Sequence, residues 1–308
     1  MRLRVDAERA GRTLSAVVRA ALPEGSSWRQ ARELCKRGKV RRNGEIASDE
    51  ALRVNAGDEI EIDPTAPRRR EHVLDESALV YCDGQIVVVN KPAGLLSVPF
   101  DDDDRNTLID RVRFLLRRKA GPNSDLGAVQ RLDKDTTGLL VFTRTLAAKR
   151  AMQQLFRQHS IERRYLALAH GAVVAQRFES DLVPDRGDGL RGSFGVFRRA
   201  RGPVPREAQH AITHVQPLER LHSATLVECQ LETGRQHQIR IHLSESGHPL
   251  LGEPVYTRDF RGTLIPAERP MLHAAVLGFA HPSNGRPMHF SSAPPADFER
   301  MLAELRGS

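Results

Sequence analysis

The chain is predicted to be an α+β protein of two domains, a small one of two helices and a short-stranded sheet followed by a larger one built on a mixed sheet. Three observations predict this. A length of 308 residues exceeds what one core usually fills, since single cores stop growing near roughly 250–300 residues. The segment Asp63-Pro-Thr-Ala-Pro-Arg-Arg-Arg70 carries two prolines and three successive arginines without apolar periodicity, which is the composition of a linker. Before it, helical spacing dominates. After it, apolar β-branched runs alternate with short helical patterns too irregularly for a wound βαβ fold. The expected division is residues 1–63, a linker over 64–78, and 79–308.

In the first domain Leu14, Val17, Val18 and Leu22 fall at helical spacing, and residues 28–39 form a second helical pattern with Gly38 as its stop. Val40-Arg-Arg-Asn-Gly-Glu-Ile46 follows, where Asn43-Gly44 signals a tight hairpin between short strands. Gly57-Asp-Glu-Ile-Glu-Ile62 closes the unit as a further turn and strand. In the second domain Ile86-Val-Val-Val89 is a buried-strand signal and Asn90-Lys-Pro-Ala-Gly94 a Pro/Gly turn. The acidic run 101–104 reads as an exposed loop tip and 107–119 as a helix.

Hydrophobic content of 40% and charged content of 28% are those of a soluble globular protein, and no stretch approaches the ~20 apolar residues of a membrane span. The opening Met-Arg-Leu-Arg-Val-Asp carries no apolar signal segment, so a cytoplasmic protein with no membrane contact is expected. Cys35, Cys82 and Cys229 include no CxxC pair, which argues against a disulfide framework and a zinc knuckle. A net charge of +8 favours a polyanionic partner, because Lys and Arg release counterions when they meet phosphates.

The charge is clustered. Arg29, Arg32, Lys36, Arg37, Lys39, Arg41 and Arg42 face a single acid, Glu33, within fourteen residues. Helical spacing puts Arg29, Arg32, Lys36 and Lys39 on one face; with Arg41 they form a stripe suited to a phosphate backbone, against the plainer reading of a solvated face. Arg186, Arg191, Arg198, Arg199, Arg201 and Arg206 lie among glycines and read as a basic loop near a cleft, either an RNA contact or a solvated insertion.

Chemistry concentrates elsewhere. In Gly127-Ala-Val-Gln-Arg-Leu-Asp-Lys-Asp-Thr-Thr-Gly-Leu-Leu-Val-Phe142, Asp133 sits on a polar turn that runs into an apolar strand, where rigid backbone would hold it as a reaction centre. Three further segments join turn residues to polar groups: 90–94, 163–171 and 232–256. The last packs Arg, His and Gln beside Ile239, Ile241 and Leu243, and polar groups buried there need partners.

Residues 1–63, with Gly-x-Val-x-x-Asn-Gly and Gly-Asp-x-Ile, resemble the S4 RNA-binding domain. The second domain resembles the RluA-type pseudouridine synthases, through Asn90-Lys-Pro, Arg131-Leu-Asp-x-x-Thr-Thr-Gly138, Arg164-Tyr165, Thr233-Gly-Arg-x-His-Gln-Ile-Arg-x-His242 and Leu272-His-Ala274 in the family's order. The resemblance implies a mixed, largely antiparallel sheet with flanking helices and a central cleft, and a monomer that converts uridine to pseudouridine in structured RNA, ribosomal RNA before tRNA, with no metal or cofactor. Asp133 is then the catalytic carboxylate. Breaking the C1′–N1 bond and rejoining the ring through C5 needs a base or nucleophile at the ribose, and an Asp of ordinary pKa near ~3.9 is ionised at neutral pH.

By the same resemblance Tyr165 stacks on the flipped uracil and helps remove the C5 proton, a stack worth roughly 1–3 kcal/mol. Arg240 pairs with Asp133 and orients it. Arg131 enters the RNA stack in place of the flipped base. Arg235, His237 and Gln238 line the cleft or brace its loop, with Asn90 and Lys91 as further substrate-side residues. One departure stands out: Gln130 occupies the position where the family usually has His. Two competing readings are a catalytically silent RNA-binding or ribosome-assembly protein, and a metal-dependent hydrolase using His237 and His242, for which no nearby carboxylate completes an i, i+4 ligand set.

Overall fold

The computed structural model describes all residues except 24, 48, 67–73, 102, 103, 105, 121–124, 197–202, 259 and 308, and the side chains of all but 119 and 120 among the rest. The expected roles of Arg68 to Arg70, Asp102, Asp103, Arg198, Arg199 and Arg201 fall outside the described residues. The chain divides into two compact units, Met1–Val73 and Leu74–Ser308.

The first unit contains β1 (Arg2–Arg4), α1 (Leu14–Ala21), α2 (Trp28–Lys36), β2 (Val40–Arg42), β3 (Glu45–Ile46) and β4 (Glu59–Ile62), with sheet order β1-β4-β2-β3. Leu14, Val17 and Val18 of α1 and Ala31 and Cys35 of α2 bury their stripe against Val40, Ile60 and Ile62. The second helix is shorter than the 28–39 pattern. Lys39 N–H donates to Leu34 O at 3.0 Å, Gly38 N–H donates to Cys35 O at 2.9 Å, and Gly38 has φ +67, so a left-handed glycine stops the helix. Lys39 therefore leaves the face shared by Arg29, Arg32 and Lys36. Asn43 (φ 51) and Gly44 (φ 83) are both left-handed, the geometry a two-residue hairpin needs between β2 and β3. Strand β1, too short for its period to be legible, pairs with β4.

The second unit contains β5 (Leu79–Cys82), β6 (Ile86–Lys91), α3 (Leu108–Ala120), β7 (Gly127–Ala128), β8 (Thr137–Thr143), α4 (Leu146–Arg157), β9 (Glu162–His170) and β10 (Gln176–Val183). It continues through β11 (Gly192–Ser193), β12 (Gln209–Arg220), β13 (Ala224–Leu231), α5 (Gln238–Glu245), β14 (Leu272–Ala280), β15 (Pro287–Ser291) and α6 (Ala296–Gly307). One sheet runs β11-β10-β12-β13-β9-β14-β8-β6-β5, with β15 on β14 and β7 on β8. Among the described residues only β14 and β8 pair in parallel, so the sheet is mixed and largely antiparallel. Continuous apolar runs mark strands covered on both faces. Val87 and Val89 share a cluster with Leu108, Val112 and Leu115 of α3, while Ile86 and Val88 share another with Met152 of α4. Gly138 (φ +110) lets β14 approach, since a Cβ there would lie 2.3 Å from Ala274 O. No described helix is long and apolar enough to cross a membrane.

Candidate active site

Asp133 lies in the loop between β7 and β8, and the fold holds that loop by its main chain. Ser97 Oγ donates to Leu132 O at 2.7 Å and accepts from Leu132 N–H at 3.0 Å. Lys91, 1% exposed, donates from Nζ to Lys134 O at 2.7 Å, Thr136 O at 2.8 Å and Pro92 O at 3.1 Å. Burial pushes the Lys91 ammonium down to about 7, yet three carbonyl acceptors call for three protons, so this geometry holds the charged form. Arg269, paired with Asp297, donates to Asp135 O at 3.2 Å. A carboxylate on a loop fixed from three sides has its direction set before any ligand arrives.

Its partners come from α5 and the loop beyond it. Arg240 Nη1 stands 3.5 Å from Asp133 Oδ2, but its stronger engagement is with Glu253, through Nε at 2.8 Å and Nη2 at 2.6 Å. Glu253 is fully buried and also accepts from the N–H groups of Val255 and Tyr256. Burial opposes the Arg240 charge, and the Glu253 and Asp133 carboxylates outweigh it, holding its pKa above the ordinary value. Arg240 is thus clamped by one carboxylate and presented to another. His237, with φ 59, places Nε2 3.9 Å from Asp133 Oδ2 and shares a 2.7 Å hydrogen bond between its Nδ1 and the Tyr256 hydroxyl. Burial lowers the His237 pKa against the pull of Asp133, so the ring is neutral at pH 7. Burial pushes the Tyr256 phenol up to about 12, which keeps that hydroxyl protonated.

Asp133, His237 and Arg240 open into a cleft of about 640 Å³ that is also lined by Gln130, Arg131, Tyr165, Arg235 and Gln238. Tyr165, on β9 between β13 and β14, is 8% exposed. Burial raises its pKa, so at neutral pH it offers an aromatic face and a phenol rather than a phenolate. The cleft joins an ionisable carboxylate, an arginine and an aromatic floor in a space of small-ligand size.

The family model for RNA pseudouridylate synthase matches residues 85–245, and that for the S4 domain matches 13–60. The chain is 35% identical over 275 residues to a protein of Zymomonas mobilis named ribosomal large subunit pseudouridine synthase D, covering 85% of this chain and 84% of that one. A protein of that name from Xanthomonas campestris is 32% identical over 310 residues, covering 96% and 90%. The solved structure of human RNA pseudouridylate synthase domain containing 4 superposes with a TM-score of 0.60 at 25% identity, covering 75% and 93%.

The chain belongs to the RNA pseudouridylate synthase family.

The other residues read from the sequence of this synthase separate into cleft and scaffold. Arg131 is exposed and lines the cleft; Arg235 lines it too, with Nε on His210 O at 2.9 Å. Gln238 reaches the wall, but its amide is fully used: Oε1 accepts from Thr233 Oγ1 and Arg235 N–H, and Nε2 donates to Ile212 O and Thr213 Oγ1. It braces the 233–237 turn. Asn90 and Lys91 are not among the residues lining the cleft; Asn90 donates to Ser292 Oγ at 2.8 Å, and Lys91 holds the Asp133 loop from behind. Gln130 lines the cleft with a buried Nε2 that has no partner among the described residues. His242 bonds Thr213 and Ser180 and does not share His237's partners, and the described residues hold no group of three His, Cys, Asp or Glu placed for a metal.

In the S4 domain Arg29 is exposed, while Arg32 and Lys36 lie 3.9 and 3.6 Å from Glu50, and Arg41 donates to Gly44 O. Lys39, half-buried, donates to Ala66 O. Arg186, expected in an exposed basic loop, is instead buried between Asp188 and Glu245, whereas Arg191 stands within electrostatic reach of His237 and Tyr256. Sequence reading overlooked Glu253 and Arg163. A carboxylate thirteen residues after Arg240, inside the polar 232–256 segment, was the available signal for the first.

Proposed function

We propose that this synthase isomerises specific uridines of large-subunit ribosomal RNA, with Asp133 as the catalytic carboxylate. One observation carries the assignment: two carboxylates line the cleft, and Glu232 is turned to His214 Nε2 at 2.5 Å, which leaves Asp133 beside Arg240 and Tyr165. The uridine flips in, its C1′–N1 bond breaks, the ring turns, and C5 bonds to C1′ as the C5 proton leaves and N1 gains one. Asp133 acts on the ribose as base or nucleophile. Arg240, held by Glu253, fixes the direction of that carboxylate. Tyr165 is the platform for the base, and Arg131 fills the stack it vacates.

The S4 domain adds phosphate contacts through Arg29, Arg32, Lys36 and Arg41. Ribosomal RNA as target is supported by the names of the relatives. The test is to map pseudouridines in total RNA from cells lacking the protein, then restore wild type or Asp133→Asn. Loss of ribosomal sites that only wild type restores is expected. If no site disappears, or Asp133→Asn restores them all, the proposal fails; sites lost only from tRNA would overturn the target.

A further inference from the structure

Four arginines are buried among the described residues, Arg163, Arg186, Arg240 and Arg269, each 6–7% exposed. Three carry carboxylates: Arg186 has Asp188 and Glu245, Arg240 has Glu253, and Arg269 has Asp297. Arg163 has none within ion-pair distance among the described residues. Its Nη2 donates to the carbonyls of Leu231 at 3.4 Å and Glu232 at 2.8 Å, its Nε is buried without a partner among the described residues, and the Phe156 ring lies 5.5 Å away. A buried charge with only neutral partners is expensive to keep. Arg163 is kept where it lines the cleft, together with Arg157 and Arg235. Gly234 keeps that position clear, because a Cβ there would lie 2.5 Å from Arg163 Nη1. Glu232, one of the two acids in the lining, is occupied by His214.

Arg163 and Tyr165 lie two residues apart on the same face of β9, about 7 Å along a strand. That spacing suits a nucleotide whose base rests on the tyrosine and whose phosphate reaches the guanidinium. We propose that this end of the cleft is a phosphate subsite, with Arg163 as the cation that receives a phosphodiester of the flipped nucleotide. It rests on reading the cleft as a uridine site. The phosphate supplies the counter-charge that the protein withholds, and Arg157 and Arg235 flank it.

The test compares binding of uridine and uridine 3′,5′-bisphosphate to the full chain by calorimetry, for wild type, Arg163→Gln and Arg163→Lys, with thermal melting to confirm folding. Wild type is expected to prefer the bisphosphate by about tenfold or more. That preference collapses in Arg163→Gln and survives in part in Arg163→Lys. A residue that only clamps the 231–234 turn would weaken both ligands alike and leave the ratio unchanged, which overturns the subsite, as does wild type that binds the two equally or not at all. Ribosomal RNA modification with an unchanged ratio sinks the subsite alone; a collapsed ratio in a protein that modifies no RNA sinks the uridine-synthase assignment and leaves the phosphate site.

Discussion

The arginines of α2 and those of the cleft carry the same charge in opposite surroundings. Arg32 and Lys36 have side chains 56% and 63% exposed and share Glu50 at 3.9 and 3.6 Å. Arg240 has a side chain 8% exposed and holds a fully buried carboxylate at 2.6 Å. Exposed charges are screened by salt, move easily, and add affinity in small increments. Buried charges are fixed in direction by partners that cannot be removed singly without cost. Under the proposed function the first kind brings RNA to the protein, and the second decides what happens to one nucleotide.

The largest expected effect is that of Asp133→Asn, which should lower the single-turnover rate by at least about 10³-fold while RNA affinity stays near wild type. Glu253→Gln comes next. It leaves Arg240 without its principal charge partner, so a stability loss of about 3 kcal/mol by denaturant titration and a fall in kcat of about 10²-fold are expected. Unchanged kcat there would show that Arg240 needs no clamp to serve Asp133.

Acid stability probes the buried side of the comparison through His242. Burial holds its pKa at about 4, below its ordinary 6.5, so between these values the unfolded chain takes up a proton that the folded chain refuses. Stability therefore falls as pH drops from 6.5 toward 4, by up to about 3 kcal/mol from this residue, and His242→Gln should flatten that slope. The smallest effect is expected at α2: Arg29→Gln and Arg32→Gln should each weaken binding a few-fold and reduce the salt slope by roughly one. A large loss of kcat at saturating RNA from either would erase the distinction between the two regions.

Much of this was legible in the sequence, for reasons that differ by residue. The Asn43-Gly44 hairpin, the apolar run 86–89, the apolar run that ends at Phe142, and Asp133 at a turn before it are local patterns, and local patterns determine local conformation. The segment 232–256 looked too polar for its apolar neighbours, and its residues do find partners in one another. What could not be read was burial. Lys91 looked like a cleft residue and is a clamp behind the loop; Arg186 looked exposed and is enclosed by two carboxylates. The role proposed for Arg163 turns on the carboxylate it lacks among the described residues, which no spacing reveals. Gln130, the visible departure from the family, lines the cleft with an amide Nε2 that has no partner among the described residues.

The most direct measurement uses RNA tritiated at uridine C5, since forming the C5–C1′ bond must release that hydrogen to water. Tritium release at saturating RNA and RNA affinity are measured together for Asp133→Asn and for Arg29→Gln/Arg32→Gln/Lys36→Gln. The account predicts that Asp133→Asn binds RNA like wild type and releases no tritium, while the triple variant binds more weakly and releases it at the wild-type rate. Tritium release by Asp133→Asn at a rate near wild type would contradict it.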